Sequence, residues 1–390
     1  MFDRKKIWAY VHLVWNMLIH LLLKPFRFDR EGFEKFERKY GPDGIYALAR
    51  RDRETMAERM QCIGCGRCDD VCPVLLVPEG AAFAGPAAHA MGFGRTLVDL
   101  PVHLDQVDCT RCGACTPACP VAVPLEEMFA ALRERLARKA WDSFPAETAA
   151  TIERLRETGT VDGEGDRLDA TARGSGKRLL FECGCRPGGG LEPGTVPGIG
   201  AGFRGCCGAL AADLGGGPIP HTAVDAVIAA VEAAGAREVV AAEPRCYRAF
   251  IEDDRYRAAF EARLLLEELP DWSGPSGDSA IRFHPGSDLA HHLRNPGLLG
   301  ELLERLDVKG VPLKDGVGGF ADSGISGAGA WARRETAAAM ARRLLAEASR
   351  QGGGLLLAAS GAEAAFLRAQ NRHENLKVRD LASWWLKSGR

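Results

Sequence analysis

Cys62-Ile63-Gly64-Cys65-Gly66-Arg67-Cys68-Asp69-Asp70-Val71-Cys72-Pro73 recurs, cysteine for cysteine, as Cys109-Thr110-Arg111-Cys112-Gly113-Ala114-Cys115-Thr116-Pro117-Ala118-Cys119-Pro120. Both runs read C-x2-C-x2-C-x3-C-P, the bacterial spacing for [4Fe–4S] clusters. Three thiolates on one tight loop reach three corners of a cube. The fourth starts a helix beyond the loop and points to the other cube. One cluster is therefore expected on Cys62, Cys65, Cys68 and Cys119, and a second on Cys109, Cys112, Cys115 and Cys72. Pro73 and Pro120 remove a backbone donor and turn the chain away. Structural zinc takes four ligands in paired spacing and does not call for this longer run twice.

The rest of the composition agrees with metal or redox chemistry. The chain has 390 residues and 13 cysteines, an odd and clustered set in a chain too long to be a disulfide-stapled mini-domain. Lys+Arg of 50 against Asp+Glu of 52 leaves a net charge of -2, which argues against an electrostatic nucleic-acid binder. Gly174-Ser175-Gly176-Lys177 is followed by Arg178 where a P-loop needs Ser or Thr. Neither a flavin nor a nicotinamide motif occurs, so no flavin or NAD of its own is expected and hydride chemistry falls to a partner.

Ile7 to Leu23 is an apolar stretch between Arg4, Lys5, Lys6 and Lys24, Arg27. It is short for a membrane span, and no small-residue cleavage site follows it. His12, Asn16 and His20 fall on one helical stripe. Residues 1–30 are thus expected to form an amphipathic helix that lies on a membrane surface or on a partner. Residues 30 to 60 read as charged amphipathic helix, with Phe33, Phe36 and Tyr40 on one side and a break at Gly41-Pro42. Helices are expected from Pro86 to Val98, from Leu125 to Lys139 with Met128, Leu132 and Leu136 on one face, and from Ala146 to Glu157. His89, His291 and His292 are expected to face solvent or cap helices, and no site is assigned to them.

From Arg178 the chain repeats a pattern. Strand Leu179–Phe181 leads to Cys183 and Cys185, then come Cys206-Cys207, a helix from Ala223 to Ala234, strand Val239–Ala242 and Cys246. The second round runs Ala280–His284, Asp322 to Gly329, a helix from Glu335 to Ser349, strand Leu355–Ala358 and Ser360-Gly361. Short apolar strands alternating with helices predict two α/β units with parallel strands. The fold class is α+β overall: N-terminal helix (1–30), helical two-cluster ferredoxin domain (31–140), linker (141–177), and a duplicated α/β region (178–275 and 276–390).

The first part resembles the α-helical ferredoxin domain of succinate dehydrogenase iron–sulfur subunits and heterodisulfide reductase electron-carrying subunits. A small β-hairpin ferredoxin fits less well. The second part resembles the cysteine-rich CCG domain of heterodisulfide reductase and of glycolate oxidase and anaerobic glycerol-3-phosphate dehydrogenase iron–sulfur subunits. That resemblance implies a third centre on Cys183, Cys185, Cys206, Cys207 and Cys246, either [4Fe–4S] or zinc. Two departures stand out. The mate of Cys246 is absent, with Glu243 three residues before it and Ala249 three after. The second unit has lost every cysteine, with His284 left at the edge of the former site, so it is expected to be scaffold or docking surface. The resemblance further implies electron transfer between a flavoprotein dehydrogenase or reductase and quinone or another acceptor, on the inner face of the membrane. Two alternatives stay open: a catalytic subunit reducing a disulfide at Cys206/Cys207, and a docking subunit with structural clusters.

Overall fold

In the computed structural model, described residues are 4–23, 35, 38–39, 58, 60–80, 82–93, 105–139, 146–158, 167–169, 177–184, 191, 196–199, 201–269, 281–293, 296–306, 309–310, 322–325 and 329–388. The chain divides into two units, Met1–Met56 and Ala57–Arg390. The first contains the helix Arg4–Leu23. Its described side chains, Trp8 and residues 10–22, are all exposed, with Trp8 at 69% and Trp15 at 60%. Among the described residues, no helix is long and apolar enough to cross a membrane. The helix expected over residues 30 to 60 lies outside the described residues, apart from Lys35, Arg38 and Lys39, which are helical.

The larger unit is built on two sheets. In the first, β2 (Arg178–Cys183), β3 (Ala201–Gly205), β4 (Glu238–Ala241) and β5 (Glu261–Leu264) are parallel, and β1 (Arg167–Asp169) joins β3 antiparallel at one edge. The order is β1-β3-β2-β4-β5. In the second, β6 (Ile281–His284), β7 (Lys309–Gly310), β8 (Gly354–Ala358) and β9 (Leu376–Asp380) are all parallel, in the order β7-β6-β8-β9. Leaving β1 aside, both sheets place their strands in the same order, second-first-third-fourth. The repeat read in the sequence is thus a repeat of topology. The class is α+β, with helices leading and parallel sheets following.

The apolar runs work as buried parallel strands because both faces are covered. Side chains alternate along β2. Leu180 faces a core shared by the two sheets, with Val240, Leu264, Phe283, Leu357 and Trp385. Leu179 and Phe181 face the other way, into a core with Val227 and Phe250 from the helices His221–Ala233 and Pro244–Glu252. On the far side of the second sheet, Leu344 and Leu345 of helix Arg334–Arg350 and Leu367 of helix Gly361–Gln370 cover Leu356 and Ala358. Each such Leu or Phe contributes about 1.5–3 kcal/mol on burial, so the shared core binds the sheets into one body.

The cysteine-rich segment packs on this body. The helix Leu125–Lys139 has the bounds expected of it, and Met128, Leu132 and Leu136 are buried. Met128, Phe129 and Leu132 meet Val74 and Phe83 from the first cysteine segment and Met340 from the second α/β unit. The helix expected over 86–98 runs Pro86–Phe93, the following residues lying outside the described set.

A buried ion network ties the same pieces together. Asp213 Oδ1 accepts from Arg111 Nη1 at 3.0 Å, and Asp213 Oδ2 accepts from Arg248 Nη2 at 3.0 Å. Arg248 also pairs with Asp288 at 3.0 Å, and Arg245 lies 3.4 Å from the same carboxylate. Burial alone would raise the Asp213 carboxyl. The surrounding Arg248, Arg111 and Arg245 overcome that and hold it well below the usual carboxylate range. A depressed folded-state value means the contribution is present above the unfolded value, near pH 4, and is lost as pH falls below it. Asp213→Asn removes the carboxylate that Arg111 and Arg248 share, leaving them only Glu126 and Asp288, and is expected to cost about 3–5 kcal/mol. Urea unfolding at pH 7 measures it, and the gap between wild type and variant should narrow at pH 3.

Candidate iron–sulfur and cysteine centres

The two cysteine runs adopt the same loop. Gly64 and Arg111 precede the second cysteine of each run and are left-handed, at φ 68° and 56°. Gly66 and Gly113 follow that cysteine and are left-handed too, at 75° and 79°. Glycine takes this conformation without strain. Arginine does so at a cost, and Arg111 is held there by its guanidinium bonds to Asp213 and Glu126. Short helices, Arg67–Asp70 and Cys115–Ala118, then carry the chain to the fourth cysteine.

All described cysteines are free thiols. Their neighbourhood is crossed. Cys68, in the first run, has Cys62 and, from the second run, Cys119 as electrostatic neighbours. Cys72, also in the first run, has Cys109 beside it, and Cys112 has Cys115 and Cys72. Cys115 stands between the sets, with Cys109, Cys72 and Cys68 around it. The two fourth cysteines thus sit with the opposite loops.

The two sets differ in surroundings. Cys65 is exposed and Cys62 half-buried, whereas Cys112 and Cys115 are buried. Asp69 lies near Cys68. Cys109 instead lies close to two buried guanidiniums, Arg133 and Arg111. Arg133 donates to the carbonyls of Cys109 and, at 2.8 Å, Asp213. Burial brings Arg133 down to about 10, so it stays charged at neutral pH. Backbone N–H groups donate to sulfur: Arg111 N to Cys109 Sγ at 3.3 Å and Val123 N to Cys119 Sγ at 3.4 Å.

Of the three histidines, His89 is buried and His291 and His292 are half-buried, and all three have partners inside the protein. The His89 ring stacks on Phe83, and its Nε2 lies 3.2 Å from Asp105. His292 Nε2 donates to the Arg111 carbonyl at 2.8 Å. The space beside Gly113 is filled by the His291 and His292 side chains. Burial, and then His292, lowers His291 to about 4. Both histidines come from the turn Asp288–His292 after β6 and dock the second α/β unit onto the second cysteine loop.

In the first α/β unit, Cys183 ends β2, Cys207 follows β3 and Cys246 lies on the helix after β4. Their side chains share hydrogen bonds. The bond to Cys183 pushes the Cys207 thiol up, and burial does the same for Cys246. Tyr256 Oη donates to the Cys207 carbonyl at 3.1 Å. Cys206 is buried on another side, among Val107, Leu136 and Leu210. Gly208 N donates to its sulfur at 3.3 Å. Cys185 lies outside the described residues. Among the described residues, no group of three or more His, Cys, Asp or Glu is placed to hold a single metal ion.

Glu243, three residues before Cys246, does different work. Its Oε1 accepts from Gly361 N at 2.9 Å and Ala362 N at 3.3 Å, and Ser360 Oγ donates to Oε2. The carboxylate caps the helix Gly361–Gln370 and joins the ends of the two sheets. On the second unit, His284 is fully buried with Nε2 3.0 Å from Glu363 Oε1, which also accepts from Ser323 Oγ. Sequence reading flagged His284 but not Glu363, Ser323, Asp213 or Arg133, whose partners are distant in the chain.

The family profile for the 4Fe-4S dicluster domain matches residues 51–123, which include all eight cysteines of the two runs. That match supports an iron–sulfur, ferredoxin-like segment over this part of the chain and, with it, an iron–sulfur electron-transfer role. No curated protein sequence matches it. Among solved structures, a hypothetical protein from Helicobacter pylori is similar over 91% of this chain and 75% of its own, with a TM-score of 0.47 and 11% identity.

The fit to cluster binding rests on two matching left-handed loops with no disulfides, the fourth cysteine of each run lying near cysteines of the other. Cys68 and Cys72 resist ionisation when bare: burial, then Asp69, pushes Cys68 up to about 12, and burial pushes Cys72 up to about 12. Ligation must therefore expel protons. Since the thiolate is the nucleophile, iodoacetamide at pH 8 is expected to label exposed Cys65 first in cluster-free protein. Labelling of Cys68 and Cys72 should lag by roughly a hundredfold or more, as read by peptide mass spectrometry over time.

Proposed function

We propose that the chain is an electron-transfer subunit with two [4Fe–4S] clusters, one on Cys62, Cys65, Cys68 and Cys119, the other on Cys109, Cys112, Cys115 and Cys72. The crossed neighbourhood of Cys119 and Cys72 carries this reading. When bound, the clusters take up and release single electrons. The chain's residues ligate them, donate backbone N–H groups to their sulfurs and exclude water from the second set. The exposed Cys65 side is the natural contact for a donor or acceptor protein, and the buried side faces the α/β body.

A third centre on Cys183, Cys207 and Cys246, with Cys185 and Cys206 as further thiols, extends the path in this proposal. The donor is taken to be a flavoprotein dehydrogenase or reductase, and the acceptor quinone or a membrane subunit reached through residues 1–30. The exposed Trp8 and Trp15 on a helix with basic ends support peripheral attachment on the inner membrane face.

Anaerobic iron and sulfide analysis with EPR tests the wiring. Two clusters require about eight irons, and three require about twelve. Cys119→Ser should perturb the same EPR signal as Cys65→Ser, and Cys72→Ser the same signal as Cys112→Ser. If each fourth-cysteine variant instead struck the cluster of its own run, the assignment would be wrong. The helix has its own test. Vesicles with anionic lipid should retain the protein at low salt and release it as salt rises. Reversing Lys5 and Lys6 to Glu should weaken binding, with about 1 kcal/mol attached to each basic residue near the surface. Co-flotation measures both.

A further inference from the structure

The carboxyl ends of the two sheets meet around a cavity of ≈ 40 Å³ to which no role has yet been given. Cys183 ends β2 and Glu243 follows β4, while Pro285 follows β6 and Ser360 follows β8. All four line it. Those strands are the first and third of each sheet, between which the strand order reverses. Open parallel sheets bind ligands at such points, and here two of them share one space.

Most polar groups in the wall are already spent. Glu243 caps the helix Gly361–Gln370. Arg245 donates to the Ile325 carbonyl at 2.8 Å and lies against Asp288. Asp288 also pairs with Arg248. Glu363 is different. It is 1% exposed, and its Oε1 is taken by His284 and Ser323, but its Oε2 is buried with no hydrogen-bond partner. Gly286, left-handed at φ 68°, keeps space open beside that oxygen, because a Cβ there would stand 2.7 Å from Oε2. A buried carboxylate oxygen without a partner costs free energy until something donates to it.

The wall selects what that can be. Three carboxylates against one guanidinium disfavour an anion. An ammonium would give up its hydration chiefly for Glu363 Oε2, since Asp288 is already ion-paired with Arg245 and Arg248 and Glu243 is engaged. The remaining surface, Trp331 and Ile325 among it, is apolar and offers water little to hold. We propose that this cavity binds a small uncharged molecule bearing a hydroxyl group, which donates to Glu363 Oε2 and lays its carbon against the apolar wall. Cys183 places the bound molecule beside the cysteine group of the first unit. The site itself does not depend on whether that group holds a cluster.

Saturation-transfer NMR on the whole protein with its clusters tests this. Three probes of equal heavy-atom count separate the classes: ethylene glycol, acetate and ethanolamine. Ethylene glycol should bind in the millimolar range, and acetate and ethanolamine at least tenfold more weakly. Glu363→Gln turns the open acceptor into a donor and should weaken ethylene glycol at least tenfold. Ala362→Met fills the cavity from the wall, leaves Glu363 in place, and should do the same should Glu363→Gln not fold. Acetate or ethanolamine binding as tightly as ethylene glycol would overturn the ligand class. Ethylene glycol binding that neither soluble variant alters, or no binding at all, would overturn the site.

Discussion

The structure turns on one buried carboxylate. Asp213 sits after the cysteine pair of the first α/β unit and receives Arg111 from the second cysteine loop and Arg248 from the helix after β4. Arg248 and Arg245 then reach Asp288 on the second unit. Loop, first sheet and second sheet therefore share a single charge network. Buried ion pairs are weak sources of net stability, because desolvation offsets their attraction, but they are expensive to break and strict about geometry. That suits a protein whose sulfur-bearing parts must keep fixed separations. Apolar packing supplies the cohesion, and the ions supply the register.

The same network makes the two cysteine sets unequal. The first loop has Gly64 where the second has Arg111, and both positions are left-handed. The first loop meets that need at no cost. The second accepts strain, and in return its guanidinium reaches Asp213 and Glu126. Arg133 adds a second positive charge at Cys109. Duplicated sequence thus gives duplicated backbone with different electrostatics, which is how equal clusters acquire unequal potentials.

Much of this was legible in the sequence, and for a common reason. The cysteine runs, the helix Leu125–Lys139 and the strands β2, β4, β6 and β8 are local patterns of spacing or continuous apolarity. What escaped was either short or distant. β5 and β7 are brief strands whose place depends on a neighbour. β9, Leu376–Asp380, alternates buried and exposed as a half-covered edge strand does, a signal present but easily lost beside its helices. The histidines escaped because burial is a tertiary fact. His292 reaches the Arg111 carbonyl across 181 positions, and no periodicity announces it. Asp213, likewise, looks like any acidic residue at a helix end.

Glu243 shows how a single side chain can join the two sheets. Its carboxylate carries a full charge and meets the N-terminus of helix Gly361–Gln370 with its unpaired N–H groups. The second unit, having no cysteines, can spend that helix end on a strut instead of a sulfur site. Ser360 both supports the strut and caps its own helix through Glu363 N. The adjacent Glu363 is then fixed by His284 and Ser323, with one oxygen left toward the cavity. The Glu243 carboxylate therefore locks the sheets together and also shapes the polar floor between them. The first unit keeps its thiols, the second keeps hydrogen-bonding groups, and the asymmetry between the halves is what gives their shared face a direction.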